Sequence, residues 1–383
     1  MKVLIIGGTG CISSAILSEC ISNKLDVTII NRGHRKSNIP DGIRLIIADK
    51  NDVNTIQKSI CNDHFDAVID FLCYNADDIK KSFSLYSKVT SQYFFISSAQ
   101  VYDYPNIDVS FEDSSKVDSR WDYSINKWAA EECLRDLSQK TNTAYTIIRP
   151  SITYGDTRIP YGITPPYGKH GTIIKRVLLG KPIIRWNEGK NLCNMMRVED
   201  FAKFFVPLIG NKKAYNQEFN ICGNNVYSFE EVLHAIEENL KVPVKTIDLT
   251  PEEYAAYIPE RRGELIAGRS TDCKSSSSKV KSIIPFVNEE YDIKSGVAKT
   301  IDAYVNNNWM DGMDYSFDGI CDKAVKDWCN RNNYNPKDFN IGFIDYLGNA
   351  SWKDKISYYC SFHKGRLDAK ILKFATKIYN KLI

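Results

Sequence analysis

Short apolar runs recur through the first half of the chain at residues 3–6, 27–30, 45–47, 67–71, 93–96 and 145–148. Each is rich in β-branched or aromatic residues and nearly continuous in hydrophobicity. That texture belongs to strands covered on both faces, and so to a parallel sheet. Between the runs lie helix-length segments at 11–24, 52–61, 76–89 and 123–140. Strand and helix alternating in this way predict a doubly wound α/β fold. After Arg149-Pro150 the pattern loosens. IPYGITPPYGKHG reads as a loop, 172–180 as a helix, 182–186 as a strand, and 197–209 and 228–240 as helices. The serine tract 275–278 reads as an exposed turn or helix start. No internal repeat stands out.

Composition narrows the class. The chain is 383 residues long, 43% hydrophobic and 25% charged, the profile of a soluble globular protein with room for more than one domain. A net charge of +3 falls short of the basic excess of a dedicated nucleic-acid binder, so no nucleic-acid partner is expected. None of the eleven cysteines forms a CxxC pair or a zinc-like spacing with histidine. Free thiols, no metal site and a reducing, cytoplasmic setting are expected. MKVLIIGGTG lacks the long apolar core of a signal peptide, and no run of about 20 apolar residues is present to span a bilayer.

Candidate chemistry starts where the first strand runs into Gly7-Gly8-Thr9-Gly10-Cys11-Ile12. A strand, a glycine turn and a helix start make an anion site, because backbone N–H groups and the helix dipole face the phosphates. A structural turn is the plain alternative; the strand before and the helix after favour a dinucleotide site. The second strand ends in INRGHR. Position 31 is about where NAD binders carry an acid for the adenosine 2′-hydroxyl. Asn31 followed by Arg32 suits a 2′-phosphate instead, so NADP is favoured over NAD, unless Arg32 is a solvated loop residue. Asp49 is a candidate acceptor for the adenine amino group, or else a helix N-cap.

The fifth run ends ISSAQVY, which places Ser97 and Ser98 at the carboxyl end of a buried strand. Twenty-five residues later (123 − 98) comes YSINK, with Tyr123 and Lys127 four apart on one helix face. The spacing alone is commonplace on solvated helix faces. With the glycine turn and the serine in this order, however, the chain resembles the extended short-chain dehydrogenase/reductase family, and within it the NAD-dependent epimerase/dehydratase group. The matching stretches are GGTGCIS, ADKNDV, ISSAQVY, YSINK, IIRPSITYGD and FNICGNNVYSFEEVL, over roughly residues 1 to 305. The resemblance implies that Tyr123 is the acid/base for a substrate hydroxyl or carbonyl. It implies that Lys127 favours the phenolate and binds the nicotinamide ribose, and that Ser98, with Ser97 as fallback, hydrogen-bonds the substrate oxygen. It extends the cofactor contacts to Pro150.

The departures from the family pattern are informative. Ser13 stands for the third glycine. Ala99-Gln100 stands where dehydratases of the family carry Asp-Glu, so a 4,6-dehydratase is not expected. Cys193 falls about where many members place an arginine for a substrate diphosphate, and Arg197 where histidine is common. Arg185, Arg197, Arg261, Arg262 and Arg269 are the remaining candidates for that grip, with surface arginines as the alternative. Tyr74, in FLCYNADD, either stands near the nicotinamide or substrate or, the favoured reading, packs in the core.

The expected organisation is a Rossmann-type dinucleotide-binding domain over 1–165, with a return segment about 197–225. A smaller substrate lobe takes 166–196 and 226–319, and a helical C-terminal extension takes 320–383. The last twenty residues are amphipathic. Leu367, Ile371, Phe374, Ile378 and Leu382 form a stripe beside Arg366, Lys370, Lys373, Lys377 and Lys381. Packing on the chain's own fold or a partner subunit is favoured over contact with a membrane surface. The expected activity is NAD(P)-dependent epimerisation of a sugar, a nucleotide-linked one foremost, by transient hydride transfer. The alternatives are an NADPH-dependent sugar ketoreductase and a non-catalytic NAD(P)- or RNA-binding protein. A homodimer is the general expectation.

Overall fold

The computed structural model describes residues 1–34, 39–166, 168–307, 312–341, 347–348 and 350–382, and of 378–382 the backbone alone. Tyr167 and the side chains of Ile378, Lys381 and Leu382, invoked above, lie outside the described residues. The chain forms two compact units. The first is Met1–Gly155, Leu192–Tyr227 and Thr271–Ile293; the second is Asp156–Asn191, Ser228–Ser270 and Lys294–Ile383.

In chain order the elements begin with β1 (Lys2–Ile6), α1 (Cys11–Ser22), β2 (Asp26–Asn31), β3 (Arg44–Ile47), α2 (Val53–Ile60), β4 (Phe65–Asp70), α3 (Ala76–Tyr86) and β5 (Thr90–Ile96). They continue with β6 (Val109–Ser110), α4 (Asp122–Ser138), β7 (Ala144–Pro150), β8 (Ile152–Tyr154), α5 (Gly171–Leu178), β9 (Ile183–Trp186), β10 (Leu192–Arg197), α6 (Val198–Phe205), β11 (Gln217–Ile221) and β12 (Val226–Ser228). The remainder are α7 (Phe229–Leu240), β13 (Thr246–Leu249), α8 (Pro251–Tyr257), α9 (Arg262–Gly268), β14 (Lys274–Ser275), α10 (Ser278–Ile283), α11 (Ile293–Asn306), α12 (Tyr315–Arg331), α13 (Trp352–Phe362) and α14 (Leu367–Leu382).

Seven parallel strands in the order β11-β7-β5-β4-β1-β2-β3 form the sheet of the first unit. Alternation along each strand sends side chains into two cores. Val3, Ile5, Val27, Ile29, Ala67 and Ile69 pack with Ile16 and Leu17 of α1 and Phe201 and Phe205 of α6. Leu4, Ile6, Val68, Tyr93 and Phe95 pack with Ile56 and Ile60 of α2, Ile79 and Phe83 of α3, and Ala130 and Leu134 of α4. Burial on both faces explains why the runs read as unbroken hydrophobicity. Each fully buried large apolar side chain contributes about 1.5–3 kcal/mol. The chain winds from β1 outward to β3 and returns at β4 on the other side of β1. The switch point therefore lies between β1 and β4, where ligands of such sheets bind.

The serine tract is a helix start, as expected, since α10 opens at Ser278, but it is not exposed. Ser275 and Ser277 are buried. β14 pairs with β6, Ser275 Oγ meets the Tyr104 hydroxyl at 2.8 Å, and Ser277 Oγ donates to the Cys222 carbonyl at 2.8 Å. These pairings hold residues 271–293 in the first unit rather than in a substrate lobe.

In the second unit, β9 and β13 pair in parallel. Trp186 packs against Tyr161, Phe229 and Tyr254. α12 and α13 approach closely at Gly319, where a Cβ would lie 2.6 Å from the Tyr358 carbonyl. A fully buried ionic cluster ties α12 to the segment around α5. Arg176 meets Asp318 and Asp322, and Lys181 meets Asp322 at 2.7 Å and Asp318 at 3.1 Å. The Tyr358 hydroxyl adds a bond to Asp322 at 2.6 Å. α14 rests on its own unit through buried Ala369, with the Cys360 thiol donating to the Ala369 carbonyl. The stripe expected to pack does not: Leu367, Ile371 and Phe374 are 75%, 59% and 67% exposed.

Candidate active site

The glycine turn follows from sterics. Gly7 and Gly8 have φ of +117° and +73°, a region that L side chains rarely enter, and a Cβ on Gly8 would sit 2.9 Å from Ile29 Cγ2. Ser13, in place of the third glycine, is buried, and its hydroxyl accepts from the Gly10 N–H at 2.8 Å, closing the first turn of α1. Cys11 opens that helix and Ile12 follows in its first turn.

Beside the turn lies a cleft of about 710 Å³ lined by Gly7, Thr9, Asn31, Arg32, Asp49 and Tyr74 among others. Asn31 Oδ1 accepts from the Gly33 N–H at 2.8 Å, which shapes the bend after β2. Its Nδ2 is buried and has no hydrogen-bond partner among the described residues. Arg32 is exposed at the rim. Asp49 accepts from the Asn51 backbone and side chain at 2.9 and 3.0 Å, and the backbone bond leads in holding its carboxyl below the usual range. The N-cap of α2 is Asp52, which accepts from the Thr55 N–H; the plain alternative for Asp49 therefore falls away. A cradle that only glycine permits, an orphaned amide and a roomy cleft at the switch point fit a dinucleotide.

Tyr123, Lys127 and Glu131 recur every four residues along α4 and so share one face. Tyr123 is half-buried and packs against Trp121, with ring centroids 4.8 Å apart and planes tilted by 34°. Lys127 is buried, and its Nζ lies 6.0 Å from the Tyr123 ring centroid. The ammonium donates to the Cys73 carbonyl at 2.7 Å and the Ile96 carbonyl at 2.8 Å. Burial pulls its pKa down to about 8. The Ile96 carbonyl closes β5 and the Cys73 carbonyl lies just past the end of neighbouring β4, so the carboxyl edge of the sheet fixes the lysine head. Tyr74 covers it: its ring centroid is 5.0 Å from Lys127 Nζ and 5.6 Å from Lys50 Nζ. Tyr74 is 52% exposed, so the core-packing reading is overturned. Its backbone N–H is held by Asp78, and the ring is left to line the cleft.

The two serines part company. Ser97 donates to Glu131 Oε1 at 2.6 Å. Ser98 has its hydroxyl at the turn after β5, accepting from the Gln100 N–H at 3.2 Å. Pro150 is buried at the same carboxyl edge of the sheet, opposite Ile221.

Two supports escaped sequence reasoning. The first is Glu131 with Arg149, both wholly buried. Arg149 donates Nε to Oε1 at 2.9 Å and Nη2 to Oε2 at 2.6 Å, and Nη1 to the Tyr102 hydroxyl at 2.8 Å. Burial alone would raise the Glu131 carboxyl, but the guanidinium beside it holds it below the usual range. Signals were present: Glu131 repeats the Tyr123–Lys127 interval, and an arginine inside the apolar run IIRP must be paired. The second is Asp70, buried at the end of β4. It accepts from the Leu72 N–H at 2.7 Å, the Tyr93 hydroxyl at 2.9 Å and the Cys73 thiol at 3.2 Å. These bonds pin the loop whose Cys73 carbonyl holds Lys127.

Three of the five arginines proposed for a substrate diphosphate have other partners. Arg185 is held by Asp248 at 2.9 and 2.7 Å and by Glu230 at 3.0 Å. Arg197 is wholly buried, paired with Glu199 at 2.8 and 2.7 Å and faced by the Tyr291 ring. Arg269 donates to the Gly162 and Gly268 carbonyls at 3.0 Å. Bidentate carboxylates and buried carbonyls already use these guanidinium edges, so the three leave the candidate set. Among the described residues no group of acidic, histidine or cysteine side chains suits a metal ion, and none of the eleven cysteines is in a disulfide. No described helix is long and apolar enough to cross a membrane.

The chain is similar to known proteins. The family model for the NAD dependent epimerase/dehydratase family matches residues 3–222. The 2′-dehydrokanamycin reductase of Streptomyces kanamyceticus is 19% identical over 67% of this chain and 71% of its own length. The chloroplast stem-loop binding protein of 41 kDa b of Arabidopsis thaliana is 26% identical over 61% of this chain, a match that spans 62% of that protein. The structure of UDP-glucuronic acid 4-epimerase from Bacillus cereus, in complex with UDP-glucuronic acid and NAD, superposes with a TM-score of 0.65. It is 15% identical and covers 80% of this chain and all of that one, a likeness of fold. With its family match spanning more than half its length, this chain belongs to the NAD dependent epimerase/dehydratase family.

Proposed function

We propose that this chain is a nicotinamide-dependent reductase of a sugar carbonyl, with NADP(H) as its exchangeable cofactor. The observation that carries the cofactor choice is the rim after β2. Asn31 Oδ1 is engaged by the Gly33 N–H, position 31 itself carries no carboxylate for a 2′-hydroxyl, and the Arg32 guanidinium is exposed. Gly7, Gly8, Thr9 and the first turn of α1 would hold the pyrophosphate, and Asp49 the adenine amino group. The nicotinamide supplies the hydride when bound. Tyr123 Oη gives the proton to the substrate oxygen, and Ser98 Oγ donates a hydrogen bond to that oxygen. Lys127, with two protons fixed on carbonyls, directs the third toward the ribose, and its charge favours the phenolate. The engagement of Arg185, Arg197 and Arg269 favours a sugar without a diphosphate handle. Ala99-Gln100 lacks the carboxylates of a dehydratase.

The test is the nucleotide released on denaturation, followed by titration of the emptied protein. Preference for NADPH over NADH by at least ~10-fold, lost in Arg32→Ala, supports the reading. Tightly held NAD recovered stoichiometrically points to internal redox, and so to epimerisation, the second reading that the family favours. A non-catalytic RNA-binding role has one observation behind it, the relative named for stem-loop binding. Absence of salt-dependent RNA retention dismisses it.

A further inference from the structure

We propose that α14 docks this chain onto an anionic lipid surface. Its two faces are opposed. At 100° per residue, buried Ala369 points about 160° away from Leu367, and Leu367, Ile371 and Phe374 cluster within about 60° of one another. The face that rests on the protein is therefore not the apolar stripe. The stripe faces outward, with its three side chains 59–75% exposed.

Charge selects the occupant. Residues 364–383 carry six basic side chains and one acidic one, a net of +5. The whole chain carries +3, so the other 363 residues carry −2. Positive charge is thus concentrated on this helix. Lys370, Lys373 and Lys377 are exposed; Lys370 and Lys377 lie about 60° and 80° from Leu367 along one border of the stripe, and Lys373 lies farther round the same flank, toward Ala369. On that border, ammonium groups can reach anionic headgroups while their stems lie along the acyl boundary. A second copy of the chain would set +5 against +5. A folded protein partner would need about 800 Å² per side, far more than three side chains offer. Insertion into a headgroup layer has no such threshold.

The experiment is co-sedimentation of the full chain with phosphatidylcholine vesicles, with and without phosphatidylserine. The expected result is binding to the anionic vesicles alone, reversed by raised salt. Replacing Lys370, Lys373 and Lys377 with glutamine is expected to weaken binding by about 100-fold. Ile371→Asp with Phe374→Asp is expected to abolish it even at low salt. Because these side chains are exposed, both variants should keep the parent's thermal midpoint, which separates lost docking from lost folding. No sedimentation at low salt, equal binding to neutral vesicles, or indifference to either set of substitutions overturns the proposal.

Discussion

Arg149→Met probes the network beneath the candidate site. Arg149 and Glu131 are both wholly buried and joined by two bonds of 2.9 and 2.6 Å. Removing one partner of a buried pair costs about 3–5 kcal/mol, because the other charge is stranded. Two groups remain to Glu131: the Ser97 hydroxyl at 2.6 Å and the partly exposed Arg135 at 2.9 Å. They place the expected loss at the lower end, about 3 kcal/mol near pH 7. The sign with pH is fixed. In the parent, Glu131 is held below the usual range, so its contribution is present above the unfolded value of about 4.3 and is lost as pH falls through the folded value. Without Arg149, burial pushes the carboxyl up instead. The variant then loses stability as pH rises from about 4.3 toward its new folded value. The deficit should be larger at pH 7 than at pH 5. Urea unfolding followed by tryptophan fluorescence at both pH values measures it. Arg149→Met combined with Glu131→Leu should be more stable than Arg149→Met alone. A loss below about 1 kcal/mol, or one equal at both pH values, would refute the reasoning.

Two further outcomes bear on the site. With Lys127 near 8, kcat/KM should fall above about pH 8, because the ammonium that favours the Tyr123 phenolate is lost; a flat profile to pH 9.5 would remove Lys127 from that role. Its lowered folded value also means that the unfolded state binds the extra proton between about 8 and 10.4. Stability should therefore rise with pH there by about 3 kcal/mol in the parent and not in Lys127→Met, as read by urea midpoints. Ser98→Ala should lower kcat at least ~10-fold with unchanged urea midpoint, whereas Ser97→Ala should cost stability of about 1–3 kcal/mol by leaving Glu131 short of a donor. The reverse pattern would exchange the two serines.

Six of the seven strands of the sheet were legible because their centres are apolar residue after residue, and the helices between them stand at their expected places; β11, QEFNI, mixes polar with apolar positions and was not among the runs. The glycine turn was legible because positive φ at Gly7 and Gly8 leaves few other residues possible. What could not be read depends on partners far along the chain. Ser97 and Ser98 are alike in sequence, and only Glu131, 34 residues on, separates them. Tyr74 looked like a core residue because its neighbours are bulky, but the bond from its N–H to Asp78 turns the ring outward. Arg185 is engaged by Asp248, 63 residues away, a pairing that no local pattern records. β6 and β14 are two residues each, too short for any period to show. In the C-terminal helix the periodicity was visible but not which face met the protein, since small Ala369 and polar Asp368 make that contact.

The buried ions of the second unit bear on the order in which the chain can be completed. Arg176 and Asp318 are 142 residues apart, and Lys181 and Asp322 are 141 apart. On a ribosome adding about 5–20 residues per second, the two cations wait about 7–28 s for their carboxylates. Until α12 emerges, neither can be taken out of water without a large desolvation cost. The second unit therefore closes only after α12 has emerged, and a nascent chain cut short before α12 presents open, hydrated cations where the folded unit has a dry interior.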